Sequence, residues 1–294
     1  DVRSFQIGDL AVITVRRGCN QCVACSNDRP DMCYLPSYKE RGIKEIHGFQ
    51  AEYVVDGEEF LVKVPKSLGY RGVLCEPMSV VEKAAEEILG LQRIRLPGWV
   101  KPEDLNKKNA LVVGLGPIGL LACIVLKLRG LNVFAQDIVD PESHRVKIVK
   151  EIGGTYVHGK SVKPNEITKK FGPMEVIVEA AGVAELDFAL LHSLSTNGGC
   201  VLTGIPNRLA KVTIDGGDLL HDFVLKNQVL LGSVNAGKKH WQLAVEDLLQ
   251  AEKKWPGILT KLITLQAPYH KFKEVFSKDP HEEIKCVITW SEQS

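Results

Sequence analysis

The 294-residue chain reads as an α/β protein, a doubly wound parallel sheet joined to a smaller β-rich lobe, and three observations predict it. From residue 110 to about 232, continuous apolar runs (ALVVGL, NVFAQD, EVIVEAAG, GCVLTGI, QVLLGSV) alternate with helical segments, the pattern of parallel strands buried on both faces. A glycine-rich turn sits between the first of those strands and the next helix. Ahead of them, residues 7 to 64 show short strands and turns, with four cysteines set into one loop.

The β-rich part carries alternation in FQAEYVV and FLVKVP, each predicted as a strand. Its cysteines, Cys19, Cys22, Cys25 and Cys33, follow the spacing C-x2-C-x2-C-x7-C. Short gaps let neighbouring sulfurs share one metal, and a fourth thiolate from a loop closes a tetrahedral shell. A closed shell leaves no position for substrate, so the spacing points to a structural Zn²⁺. An iron–sulfur cluster would more often place its fourth cysteine three residues on and before proline, whereas here the run is Met32-Cys33-Tyr34. Disulfides need an oxidising compartment, and the N-terminus shows no secretory signal, so a cytoplasmic location is expected. The other cysteines, Cys75, Cys123, Cys200 and Cys286, read as small core residues.

Pro77 opens SVVEKAAEEIL, where Val80, Val81, Ala84, Ala85 and Ile88 share one face, so a helix with proline at its first position is expected. The segment RLPGWVKPEDLNKKN follows as a linker. Then Gly114-Leu115-Gly116-Pro117-Ile118-Gly119 stands between the strand ALVV and the helix LLACIVLKL. The three glycines suit the tight turn, the close approach of phosphate and the helix–strand contact of a Rossmann dinucleotide site. The next strand ends at Asp137, where a carboxylate can accept the ribose hydroxyls of NAD and would repel a 2′-phosphate, so NAD is expected ahead of NADP. His144 and Arg145 could soften that preference, and Asp137 could instead be a turn or capping acid. The last sixty or so residues carry a helix around HWQLAVEDLLQ and a strand, IKCVITW.

Composition excludes several classes. Hydrophobic residues make up 45% and charged residues 25%, and 37 basic against 36 acidic residues leave a net charge of +1, with no basic run interleaved with aromatics. Nucleic acid is therefore not an expected partner. The apolar stretch from Ala110 to Leu126 is shorter than the roughly 20 residues a membrane helix needs and contains three glycines and a proline. The first residues, DVRSFQIGDLAVITV, read as a turn entering a strand, as if a segment preceded them.

A zinc lobe ahead of a Rossmann unit, with a return segment behind it, resembles the medium-chain zinc-dependent alcohol and polyol dehydrogenases. Within them the chain is similar to the archaeal-type glucose dehydrogenases, through KERGIKEIHGF at 39 to 49, LCEPMSVVEKAAEEIL at 74 to 89, GSVNAGKKHW at 232 to 241 and HEEIKCVITW at 281 to 290. The resemblance implies a partial GroES-like catalytic domain over 1–80, a Rossmann domain over 81–232 and a return to the catalytic domain over 233–294. It implies oxidation of an aldose C1 hydroxyl to a lactone, with hydride passing to NAD or NADP. Glu76 resembles the carboxylate that meets a catalytic zinc, directly or through water, and also contacts the sugar. Glu40 resembles a sugar-hydroxyl acceptor, and Asn235 matches a residue at the nicotinamide and substrate end of the cleft. The family's other catalytic-zinc ligands, a Cys or Asp and a His-Glu pair, belong upstream of the segment matching Asp1. None of His47, His144, His158, His192, His221, His240, His270 and His281 shows a spacing that would replace them. A structural zinc and a dinucleotide with weak catalysis, or a scaffold that only binds NAD, are thus also open, as is another polyol as substrate. The strand QVLLGSV resembles the edge through which these dehydrogenases pair their sheets, so a homo-oligomer, dimer or tetramer, is expected.

Overall fold

The computed structural model describes residues 2–99, 101–277 and 283–290. Asp1, Val100 of the linker, and His281 and Glu282 of the last motif lie outside them. By internal contacts the chain forms two compact units, Asp1–Lys83 with Asn235–Ser294, and Ala84–Val234.

The first unit begins with β1 (Leu10–Ile13), β2 (Arg16–Arg17), α1 (Val23–Ser26), β3 (Lys39–Arg41), β4 (Glu45–Ile46) and β5 (Leu61–Val64), and leads into α2 (Cys75–Arg95). Strand β1 pairs antiparallel with β5, and β2 pairs antiparallel with β3 so that Arg16 faces Glu40 across the ladder. The alternation in FLVKVP makes β5, with Val62 and Val64 buried. The equally clear alternation in FQAEYVV makes no strand: Tyr53 and Val55 are exposed, so its apolar set has no face to bury against among the described residues. Nor is Pro77 the first helical residue. α2 starts two residues earlier, at Cys75, directly after a 3-10 turn over Gly69–Leu74. Proline is still tolerated there, because the first-turn N–H groups have no intrahelical acceptor to lose.

The second unit continues from the later turns of α2 through α3 (Pro102–Leu105), β6 (Asn109–Val113), α4 (Pro117–Leu128), β7 (Asn132–Asp137), α5 (His144–Glu151), β8 (Thr155–His158), α6 (Pro164–Phe171), β9 (Met174–Glu179), α7 (Ala184–Leu190), β10 (Leu194–Leu202), α8 (Gly216–Leu225) and β11 (Val229–Gly232). Its strands form one six-stranded parallel sheet in the order β11-β10-β9-β6-β7-β8. The order reverses between β6 and β9, and ligands of doubly wound sheets bind at the carboxyl ends of strands beside such a switch. Leu111, Val113, Ile177 and Cys200 of the central strands pack with Phe134, Val157, Ile167 and Leu190 in one core. Strand β8, TYVH, was not anticipated; it is short, and only Val157 of it is buried.

The return segment holds α9 (Lys238–Lys254), α10 (Ile258–Leu262), β12 (Ile263–Pro268), α11 (Phe272–Phe276) and β13 (Lys285–Thr289), with β12 and β13 parallel. Cys286 lies on β13 and is only half-buried, because that two-stranded sheet is thin; Cys75, Cys123 and Cys200 are buried, as small core residues are.

Candidate functional site

The cysteine lobe is built by a one-turn helix and a 3-10 turn. Cys22 caps α1, its sulfur accepting from the Cys25 N–H at 3.5 Å, and Cys33 ends the turn over Pro30–Met32. Asn20 and Asp28, both in the left-handed region, bend the loop back between the thiols. All four sulfurs lie within 4.8 Å of one another, with Cys19 and Cys25 3.8 Å apart and Cys22 and Cys33 3.9 Å apart. A tetrahedral zinc with Zn–S bonds of about 2.3 Å requires sulfurs about 3.8 Å apart, so the four residues fit the ion. The N–H groups of Gln21 and then Cys22 draw the Cys19 thiol down to about 6, whereas burial pushes Cys25 up to about 12. A bound Zn²⁺ would hold all four as thiolates. Among the described residues no other group of three or more His, Cys, Asp or Glu side chains converges this way.

Two of the residues expected to hold sugar come together in the first unit. The side-chain amide of Asn235 donates to Glu40 Oε1. Asn235 is in the left-handed region at φ +66°, with its Oδ1 accepting from the Ala236 N–H at 2.9 Å. Arg16 approaches Glu40 Oε1 at 3.5 Å and lays its guanidinium on the Tyr38 ring, 3.8 Å from the centroid. Glu40 is therefore a buried carboxylate braced by an amide and a cation. Glu76 lies in the first turn of α2 and is exposed at a cavity of about 300 Å³ lined also by Val12, Phe49, Val54 and Trp241. Its carboxylate has no hydrogen-bond or ionic partner among the described residues, so it can take a ligand. It also has no companion metal ligand there. The described residues thus do not by themselves form a second zinc site. His47 is exposed just after β4, its carbonyl accepting from Arg41, while His240 is buried and accepts the Gly237 N–H at Nδ1.

In the second unit the glycine turn follows β6, at the switch point. Gly114 sits at φ +87°, and a Cβ on Gly119 would lie 1.7 Å from the Gly114 carbonyl oxygen, so no side chain fits where the helix meets the turn. Pro117 is the first residue of α4, and the N–H groups of Ile118 and Gly119 in that first turn are left to an outside acceptor such as a phosphate. Asp137, at the end of β7, accepts the Leu115 N–H at 2.5 Å and the Ile138 N–H at 2.6 Å. It is both a brace for the glycine turn and a half-exposed carboxylate with lone pairs to spare. Arg145 is buried and donates to the Leu115 carbonyl, and His144 is exposed at the start of α5. The cradle fits a dinucleotide.

Two family models cover the chain: the alcohol dehydrogenase GroES-like domain over residues 1–66, and the glucose dehydrogenase C-terminus over residues 69–290. The chain belongs to the glucose dehydrogenase family. Among its relatives, glucose 1-dehydrogenase of Methanocella arvoryzae is 35% identical over 289 residues, covering 98% of this chain and 78% of the relative. Glucose 1-dehydrogenase 2 of Vulcanisaeta moutnovskia is 37% identical over 283 residues, covering 96% of this chain and 75% of the relative. Among solved structures, glucose dehydrogenase of Haloferax mediterranei in complex with NADP, Zn and gluconolactone matches with a TM-score of 0.87 at 30% identity, over all of this chain and 80% of that one. The fold is that of the zinc-dependent medium-chain dehydrogenases.

For a glucose dehydrogenase family member, sequence reading missed the side chains around the expected ones. Arg16 and Tyr38 were unremarked, although the two-residue strand β2 sets Arg16 opposite Glu40. Asp31 and Lys83 were also missed: Lys83 Nζ lies 2.9 Å from Asp31 Oδ2, with both side chains inaccessible to solvent. Burial alone would raise Asp31, but the hydrogen bonds from Arg29 and Lys83 more than offset it and hold it at about 2. A charged Lys83 in the middle of an apolar helix face was the available signal.

Proposed function

We propose that this protein oxidises the C1 hydroxyl of an aldose, glucose first, to the lactone and passes the hydride to a nicotinamide dinucleotide. The observation that carries this is the convergence of Glu40 and Asn235 in a chain of the glucose dehydrogenase family. Buried polar groups of this kind select hydroxyls, because a substrate lacking them leaves the carboxylate or amide unpaired. In this reading Glu40 and Asn235 hold sugar hydroxyls, Asn235 also serves the nicotinamide end, and Glu76 meets a catalytic zinc directly or through water and contacts the sugar. Gly114, Gly116, Pro117, Ile118 and Gly119 receive the pyrophosphate and Asp137 the ribose, which favours NAD over NADP. Cys19, Cys22, Cys25 and Cys33 hold a structural zinc. Residues 1–80 and 233–294 are the catalytic domain and 81–232 the Rossmann domain.

The proposal extends to a homo-oligomer, because β11 is an edge strand with Leu230 exposed and Val234 exposed just beyond it, and an apolar edge needs a partner. All eight cysteines are unbridged, as suits a cytoplasmic enzyme, and among the described residues no helix is long and apolar enough to cross a membrane. A second reading, a dinucleotide-binding protein without turnover, draws on Glu76 having no companion ligand among the described residues. The deciding experiment is an assay with D-glucose and NAD⁺ or NADP⁺, with zinc counted per chain. Lactone formation with two zincs supports the dehydrogenase. One zinc and no turnover supports the binding protein.

A further inference from the structure

We propose that Asp31 is a positioning residue for the Glu40–Asn235 pair, so that the cysteine lobe sets the geometry of sugar recognition; the inference rests on the sugar-oxidising reading of that pair. Asp31 sits in the 3-10 turn that ends at Cys33, and its carboxylate is wholly buried. Arg29, at the cap of the same turn, donates to both its oxygens, with Nε 3.1 Å from Oδ1 and Nη2 2.9 Å from Oδ2. Lys83, from α2, reaches Oδ2 at 2.9 Å and passes the Met32 sulfur at 3.7 Å. The other side of Asp31 Oδ1 lies against Gly237: a Cβ on that glycine would stand 2.7 Å from it.

Gly237 is the N-cap of α9 and comes two residues after Asn235. The backbone from 235 to 240 is a closed turn. The Ala236 N–H is held by Asn235 Oδ1, the Gly237 N–H by His240 Nδ1 at 3.0 Å, and the His240 N–H by the Gly237 carbonyl at 2.9 Å. A rigid turn of this kind moves as one piece, so the wall it rests on fixes where the Asn235 amide points. That wall is Asp31. A buried ion pair is a poor source of net stability, since apolar residues of equal volume often serve as well, but it holds its partners in one arrangement. Asp31 and Lys83 thus define where the turn stops, and the thiolate cluster two residues away defines where Asp31 stops.

The test uses two variants of the whole protein. Gly237→Ala places a methyl against Asp31 Oδ1 and leaves every charged group in place. Asp31→Asn with Lys83→Met keeps the volumes and removes both charges of the Asp31–Lys83 pair, leaving Arg29 an amide oxygen to donate to. Each is assayed for the glucose KM and kcat, the NAD⁺ Kd, zinc per chain, and hydrogen exchange of the peptide covering 235–240. The expected result for both is a KM raised about tenfold, with kcat within about threefold, an NAD⁺ Kd changed far less than KM, unchanged zinc, and faster exchange confined to 235–240. An unchanged KM in variants that stay folded and zinc-loaded overturns the proposal, as does an equal loss of NAD⁺ affinity, which would mean general loosening. If the parent protein does not turn over glucose, the sugar-oxidising reading fails separately. Hydrogen exchange then still decides: unchanged protection at 235–240 in both variants shows that Asp31 does not hold the turn.

Discussion

The Asn235 side-chain amide donates to Glu40 across 195 residues of sequence, and Arg16 stands 3.5 Å from the same carboxylate oxygen. The second Glu40 oxygen is left for a ligand, and two of its acceptor sites suit vicinal sugar hydroxyls. Glu40→Gln keeps the shape and removes the charge, so it should lower kcat/KM for glucose by about 1.5 to 3 kcal/mol, or roughly 10- to 160-fold, the range for a hydrogen bond to a charged group. NAD⁺ affinity should hold. With Asn235→Ala the effects should be less than additive, because each substitution removes the same contact. Steady-state kinetics of the two single variants and the double variant check this.

Cys22 is the buried cap of α1 and one of the four converging thiols. Cys22→Ala should release one zinc per chain and lower stability by about 3 kcal/mol or more, at the large end for single substitutions. NAD⁺ affinity should be nearly intact, since the glycine turn belongs to the other unit. Elemental analysis with thermal melting is the check, and unchanged metal content would remove the cluster as a zinc site.

The zinc lobe and the glycine turn were legible in the sequence because each is a local device. The spacing of Cys19 to Cys33 and of Gly114 to Gly119 is itself the geometry. The resemblance singled out Glu40 and Asn235 separately but not their contact, because nothing local marks a glutamate on a three-residue strand and an asparagine before a helix as neighbours. Of the Asp31–Lys83 pair only Lys83 left a signal, and that signal does not name its partner. The two come from a 3-10 turn and a helix, and a lysine on an apolar face reads as a snorkelling surface residue until its partner is seen. FQAEYVV misled for the opposite reason: period-two alternation predicts a strand only where a sheet is available to bury one face.

Asp137 accepts the Leu115 N–H and caps its own turn, so its removal and its neutralisation should differ. Asp137→Ala should weaken NAD relative to NADP by about 1 to 3 kcal/mol, the loss of charge-assisted bonds to the ribose. Asp137→Asn keeps an acceptor for the Leu115 N–H and removes the repulsion toward a 2′-phosphate. It should therefore lose less NAD affinity and gain NADP affinity. Titrations of both variants with each dinucleotide separate the brace from the ribose contact, and equal affinities in the parent would refute the premise.

Glu179 and Asp187 form a buried acid pair beneath the loop after β9. Glu179 Oε1 accepts the Ala181 and Gly182 N–H groups at 2.6 and 2.7 Å, while its Oε2 and Asp187 Oδ1 have no donor. A proton kept on Asp187 can serve as a donor beside Glu179. Burial first, and then the charge of Glu179, push Asp187 up from 3.8 to about 6. The native state therefore binds a proton that the unfolded chain has released, and stability falls as pH rises from about 4 to about 6. Below about pH 4 Asp187 is protonated in both states and costs nothing; above about pH 6 the full cost of its charge is present. Asp187→Asn supplies a permanent donor, so it should raise stability above pH 6 by an amount on the order of 1 to 2 kcal/mol and leave it unchanged below pH 4. Denaturant unfolding of parent and variant at pH 4, 5, 6 and 7 checks the sign. A gain that is the same at every pH would mean that Asp187 does not hold its proton in this range.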